Sequence, residues 1–159
     1  MKNPRFIHLS FILIFFSIIT SCGYQPMLSE NNEKFNIKVL NVDGDQRIGQ
    51  ILRNNITHIQ KKSDGLVFNV FAKKNKGITN KSSTGKILEY SLNISFDLIA
   101  YENPGRKVIL EKKFSQSRNY KASDLYSNTL NTERKITEEI IESLANEIIT
   151  NIGLIYSKQ

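Results

Sequence analysis

A single cysteine, Cys22, serves the whole 159-residue chain, so no disulfide can form within it. Histidine is nearly absent too: His8 and His58 are the only two. A serine or cysteine nucleophile wants a histidine base beside it. His8 falls in a segment expected to be removed, and His58 lies beside the apolar stripe of a helix, where it reads as a solvated side chain. No cluster of His, Cys, Asp and Glu has metal-ligand spacing. The glycines Gly77, Gly85 and Gly105 stand apart and make no phosphate-binding loop. Glu138 and Glu139 are neighbours in sequence, but neighbours on a helix point about 100° apart. These absences disfavour an enzyme, a metal site and any bound cofactor. Long apolar runs are scarce as well. The one example, Phe6 to Ile19, is interrupted by His8, Ser10 and Ser17 and falls short of the ~20 residues a membrane span requires.

That run acquires meaning from its flanks. Lys2 and Arg5 precede it, and Ile19-Thr20-Ser21-Cys22-Gly23 closes it. A positive start, a short apolar centre and small residues before a cut make an export signal. The ending is similar to the lipobox of bacterial lipoproteins, whose cysteine is acylated and becomes the new N-terminus, with Ile19 where leucine is usual. Residues 1–21 are therefore expected to be a removed signal peptide and Cys22 the lipidation site. Cleavage leaves 138 residues, enough for one domain with a real core. It removes two of the 22 basic residues and none of the 15 acidic ones, so the net charge falls from +7 to +5. Each buried methylene of the lipid contributes about 0.8 kcal/mol, so two or three chains hold the protein on a membrane that it does not cross.

Residues 22–34 form a polar tether, and residues 35–159 a single domain. Phe35, Ile37 and Val39 alternate with polar residues as a strand does. Asp43-Gly44-Asp45 interrupts, with Asp43 or Asp45 able to cap a helix. Ile48, Ile51, Leu52, Ile56 and Ile59 carry that helix toward Lys62, and Ser63-Asp64-Gly65 ends it. A second strand begins at Leu66, with Phe68, Val70 and Ala72 on one face. Its polar, basic continuation from Lys73 to Lys86 suits either a loop or a strand projecting past the core. The third strand is the clearest element: Leu88, Tyr90, Leu92, Ile94, Phe96, Leu98 and Ala100 fall on one side, and Glu89, Ser91, Asn93, Ser95 and Asp97 on the other. Asn103-Pro104-Gly105 turns into a fourth strand, Lys107 to Tyr120, with Val108, Leu110 and Phe114 toward the core and Lys112 interrupting. Thr132-Glu133 opens a last helix, whose stripe is Ile136, Ile140, Ile141, Leu144, Ile148, Ile152 and Ile155. Glu133, Glu138, Glu139 and Glu142 complement its dipole. The order β-α-β-β-β-α predicts an α+β fold: a two-layer sandwich, with a four-stranded sheet and two helices packed on one face.

Positive charge is the remaining chemical signal. Lys73, Lys74, Lys76, Lys81 and Lys86 crowd one segment, and Arg106, Lys107, Lys112, Lys113, Arg118 and Lys121 the next hairpin. Shared on one rim or face, such groups favour phosphorylated or other anionic ligands. Export makes nucleic acid a poor candidate and anionic lipid head groups better ones. The plainer alternative is that isolated lysines only solubilise.

The run Cys22-Gly23-Tyr24-Gln25-Pro26-Met27, followed by a single domain of this order, resembles the LPS-assembly lipoprotein family, LptE, in alphaproteobacterial form. Members open their mature chain with Cys-Gly, an aromatic, a polar residue, Pro and a large apolar residue. The resemblance implies an outer-membrane lipoprotein, lipid-anchored at the periplasmic face. It would plug and help assemble a large β-barrel, LptD, and assist delivery of lipopolysaccharide to the cell surface. Gly23 fits that location, since the aspartate associated with inner-membrane retention is absent there. On this reading Lys73, Lys74, Lys76, Lys81, Lys86, Arg106, Lys107, Arg118 and Lys121 would meet lipid A phosphates. Two alternatives stay open: a scaffold lipoprotein of another envelope complex, and a periplasm-facing lipid-binding lipoprotein with an internal cavity.

Overall fold

Strict alternation of apolar and polar residues forces a strand to bury one face, and that constraint organises the domain. The computed structural model describes residues 37–56, 65–102, 105 and 107–156. Its elements are β1 (Ile37–Gly44), α1 (Gln46–Ile56), β2 (Leu66–Lys81), β3 (Ile87–Glu102), β4 (Val108–Lys121) and α2 (Tyr126–Tyr156). The strands form one mixed sheet in the order β1-β2-β3-β4, with β1 parallel to β2 and the other pairs antiparallel. Both helices lie on one face, in contact with each other and with the sheet. This is the expected two-layer α+β architecture.

The core lies between helices and sheet. Phe68, Phe96 and Phe114 are fully buried there with Leu92, Ile94 and Leu98 of β3. Ile48, Leu52 and Ile56 recur every fourth residue on α1 and supply its share, while α2 supplies Ile140, Ile141, Leu144, Ile148 and Ile152. Each such side chain contributes roughly 1.5–3 kcal/mol by leaving water. The first helix starts where Asp45 allows: its Oδ1 accepts the backbone N–H of Arg47 at 3.0 Å and of Ile48 at 3.3 Å. That settles the cap on Asp45 over Asp43.

Three expectations need correction. The spacing from Ile37 is broken by a register shift between Ile37 and Val39 that changes parity, so that Leu40 and Val42, paired with Phe68 and Val70, carry the core face of β1 onward. A second shift, at Ala100/Tyr101, turns Val108 outward; it is 55% exposed while Leu110 and Phe114 keep the core face. The last helix begins at Tyr126, nearly two turns before Thr132. Its start is held by Thr129, whose buried Oγ1 accepts the Ser123 N–H at 2.8 Å, and by the Leu125 carbonyl, which accepts the Asn128 and Thr129 N–H groups. The apolar stripe begins only later, so its spacing could not reveal that start.

The ambiguous segment after Ala72 is strand. β2 and β3 pair from Leu66↔Glu102 as far as Lys81↔Ile87, closing through a turn at Ser82–Lys86 with Gly85 at φ +83. Beyond Ala72 no residue of β2 is buried. At about 3.3 Å per residue the 16 residues of β2 extend ~50 Å. The far half of this hairpin thus projects beyond β1, which ends at Gly44.

Candidate functional site

Strand parity divides the basic residues between two faces. On the face opposite the helices, cross-strand rows run Lys73–Ser95–Ser115, Asn75–Asn93–Ser117 and Gly77–Ser91–Asn119. Asn93 donates to Ser117 Oγ at 2.7 Å, and nearer β1 Asn41 donates to Asn69 Oδ1 at 2.9 Å. Lys73 apart, this half of the face is therefore polar and made of short side chains, with Ser95 buried among them. Toward β1 it carries Phe71, 51% exposed, and Ile99, which with Asp43, Asn69, Asp97, Glu111 and Lys113 line an open depression of about 420 Å³. Lys113 Nζ lies 3.6 Å from Asp97 there.

On the helix side of the projecting hairpin, the chemistry centres on Glu133 of α2. Its Oε1 accepts from Lys74 Nζ at 2.8 Å, and its Oε2 from Lys76 Nζ at 2.7 Å and from the Tyr120 hydroxyl at 3.0 Å. Lys76 also stands 4.1 Å over the Tyr90 ring, and Tyr90 stacks on Tyr120 with centroids 5.5 Å apart. Burial alone would push the Glu133 carboxyl up; the hydrogen bonds from Lys74, Lys76 and Tyr120 outweigh it and bring the pKa down to about 2. Burial disfavours the Lys76 ammonium, yet the Glu133 hydrogen bond and charge raise its pKa overall. Burial likewise raises that of Tyr120. Two lysines and a tyrosine fasten the helix to the hairpin.

The sequence-based phosphate ligands accordingly do not form one site. Lys74 and Lys76 are committed to Glu133, Arg118 to Glu139 at 2.7 Å, and Lys86 to the exposed Asp124 at 2.6 Å. Lys73 lies on the open face, Lys81 and Lys121 at the projecting end of the sheet, and Lys107 at the other end. None of these four has an ion pair among the described residues. Arg106, His58 and the lipidation residue Cys22 lie outside the described residues. Glu133, Tyr90 and Tyr120 were missed as a group, although the parity of Lys74, Lys76, Tyr90 and Tyr120 on paired strands foreshadows it. Among the described residues no group of three His, Cys, Asp or Glu side chains is arranged to hold a metal.

No protein-family model matches the chain, and no curated protein does. Solved structures do share its fold. Rare lipoprotein B of Shewanella oneidensis superposes with a TM-score of 0.55 at 14% identity, covering 76% of this chain and 98% of that one. Lipoprotein B of Nitrosomonas europaea gives 0.59 at 14% identity, covering 77% and 85%. A minor lipoprotein of Acinetobacter baumannii gives 0.54 at 19% identity, covering 76% and 92%. All three are bacterial lipoproteins, and none bears the name of an enzyme.

Proposed function

We propose that this chain is a lipoprotein of the bacterial outer membrane, anchored through Cys22, that plugs and helps assemble an LptD-like β-barrel and assists delivery of lipopolysaccharide. The observation that carries this reading is the polar sheet face. The lumen of a large membrane barrel is lined by polar side chains, and a surface of Ser and Asn with few long side chains is complementary to it in polarity. Two further facts support the reading: the lipobox-like run at Cys22, and a fold shared with bacterial lipoproteins. The described core is filled by Phe68, Phe96 and Phe114, which favours a plug over a carrier with an internal cavity.

Within this reading the lysines have two duties. Lys73, Lys81, Lys107 and Lys121 are the groups available to lipid A phosphates, whereas Lys74 and Lys76 hold the hairpin on α2. The test is affinity purification of the lipidated protein from detergent-solubilised membranes, followed by mass spectrometry. A large outer-membrane barrel recovered in equal amount is the expected result. Recovery of the protein alone, or with an unrelated complex, overturns the barrel assignment and favours a scaffold for another envelope machine.

A further inference from the structure

β1 covers the outer edge of β2 only as far as Ala72, where the Asp45 N–H closes the pairing onto the Ala72 carbonyl at 2.9 Å. From Lys73 to Ile78 β2 continues in unbroken register with Ser95 to Tyr90 of β3, and register shifts at Ile78–Lys81 end the regular stretch. Among the described residues nothing pairs with its other edge. A regular strand with one edge unmatched presents backbone donors and acceptors to any extended chain that approaches.

Two features say what kind of chain. The segment Leu66–Leu88 contains Lys73, Lys74, Lys76, Lys81 and Lys86 and no acidic residue. Glu133, Asp124 and Glu89 lie against it and offset only part of that charge. A second copy pairing edge to edge would bring together two segments of net positive charge, which repel; an acidic segment meets no such penalty. The other feature is Gly77. It has no positive φ, and a Cβ built there meets nothing within 4 Å. Neither backbone conformation nor packing inside this domain calls for glycine, which costs a strand stability. Gly77 thus leaves the open face bare beside this edge.

We propose that the Lys73–Ile78 edge of β2 accepts an extended, acidic polypeptide segment of a partner protein as a fifth strand. The proposal does not require the partner to be a barrel, so it stands or falls separately from the reading above.

The experiment is amide hydrogen exchange of the full mature chain, resolved by residue. The probe is a short synthetic peptide alternating valine and glutamate, at millimolar concentration. Protection is expected at those amides of Lys73–Ile78 that do not bond to β3, slowed about tenfold relative to the free protein, and lost at high salt. The lysine counterpart of the peptide, and the glutamate peptide methylated on its backbone nitrogens, should give none. No protection by the glutamate peptide, protection of another edge, or equal protection by the lysine peptide overturns the proposal. So does protection that appears with protein concentration alone, which would assign the edge to a second copy, or with anionic lipid vesicles alone.

Discussion

Glu133 behaves as a structural anchor because three donors converge on one half-buried carboxylate. Its folded pKa, brought to about 2, lies below the ordinary 4.5. The carboxylate therefore adds stability that is fully present above about pH 4.5 and is lost as the pH falls through about 2. Partial exposure of the lysines, whose side chains are 23% and 30% exposed, screens the interaction, so the loss should be roughly 1–2 kcal/mol. Urea titrations between neutral pH and pH 2 would read this as a falling midpoint, and Glu133→Gln should remove most of the pH dependence while costing about 2 kcal/mol at neutrality. A flat profile in the native protein would refute the assignment. Gly44 offers a separate test. At φ +85, with the space for a Cβ filled by the Ala72 carbonyl oxygen, it should tolerate alanine poorly. Gly44→Ala is expected to cost about 3 kcal/mol, from positive-φ strain and contact with the β1–β2 pairing together, measured by chemical denaturation. Neither effect was legible in the linear sequence. Glu133 read there as one of several acids near a helix start, because its partners lie 13 to 59 residues away.

Elements were legible where one periodicity persists. β3 alternates in sequence from Leu88 to Leu98, and every buried residue from Leu92 to Ala100 but Ser95 lies on the apolar side its sequence implies, whereas Leu88, expected on that side, is 40% exposed. The stripe on α2 likewise held from Ile136 to Ile152, and Ile155 is outside the core. Parity changes were the obstacle elsewhere: one irregular step in β1 and one near the start of β4 turn the residues on either side to opposite faces, and no residue type marks them. The far half of β2 lacked alternation because its strand conformation comes from pairing with β3 and not from burial. The lysine cluster is divided between two faces for the same geometric reason. Lys73 and Lys74 are adjacent in sequence yet face opposite sides of the sheet, so proximity along the chain was not proximity in space. This separates two outcomes of charge reversal. Lys73→Glu with Lys121→Glu should leave the thermal midpoint nearly unchanged and weaken lipopolysaccharide binding several-fold, more so at low salt. Lys74→Glu with Lys76→Glu should lower the midpoint markedly, since two carboxylates would then face Glu133. Equal loss of binding at equal stability in both variants would contradict the division of duties.

At the scale of the molecule, the domain has two distinguishable ends. Chain entry at Ile37 adjoins the Leu66 end of β2, while the basic turn at Ser82–Lys86 lies at the other end of that strand, ~50 Å away by strand rise. The 15 residues from Cys22 to Asn36 reach at most about 50 Å when extended. An acylated Cys22 would therefore hold the entry end within that distance of the membrane surface, leaving the hairpin to extend in whatever direction a partner imposes. Among the described residues no helix is long and apolar enough to cross a membrane, and the proposed function makes the lipid and the partner the two anchors to be told apart. Cys22→Ala, expressed with its export signal intact, discriminates between them. With the barrel partner depleted, the variant should move from the membrane to the soluble periplasmic fraction, and the wild-type protein should stay behind. With the partner present, part of the variant should remain and co-purify with it. Its thermal midpoint should match that of the wild-type domain, because Cys22 precedes residues 35–159, the segment expected to fold as the domain. Full membrane retention of the variant without the partner would exclude lipid anchoring through Cys22, and with it the positional argument for a plug tethered at the periplasmic face.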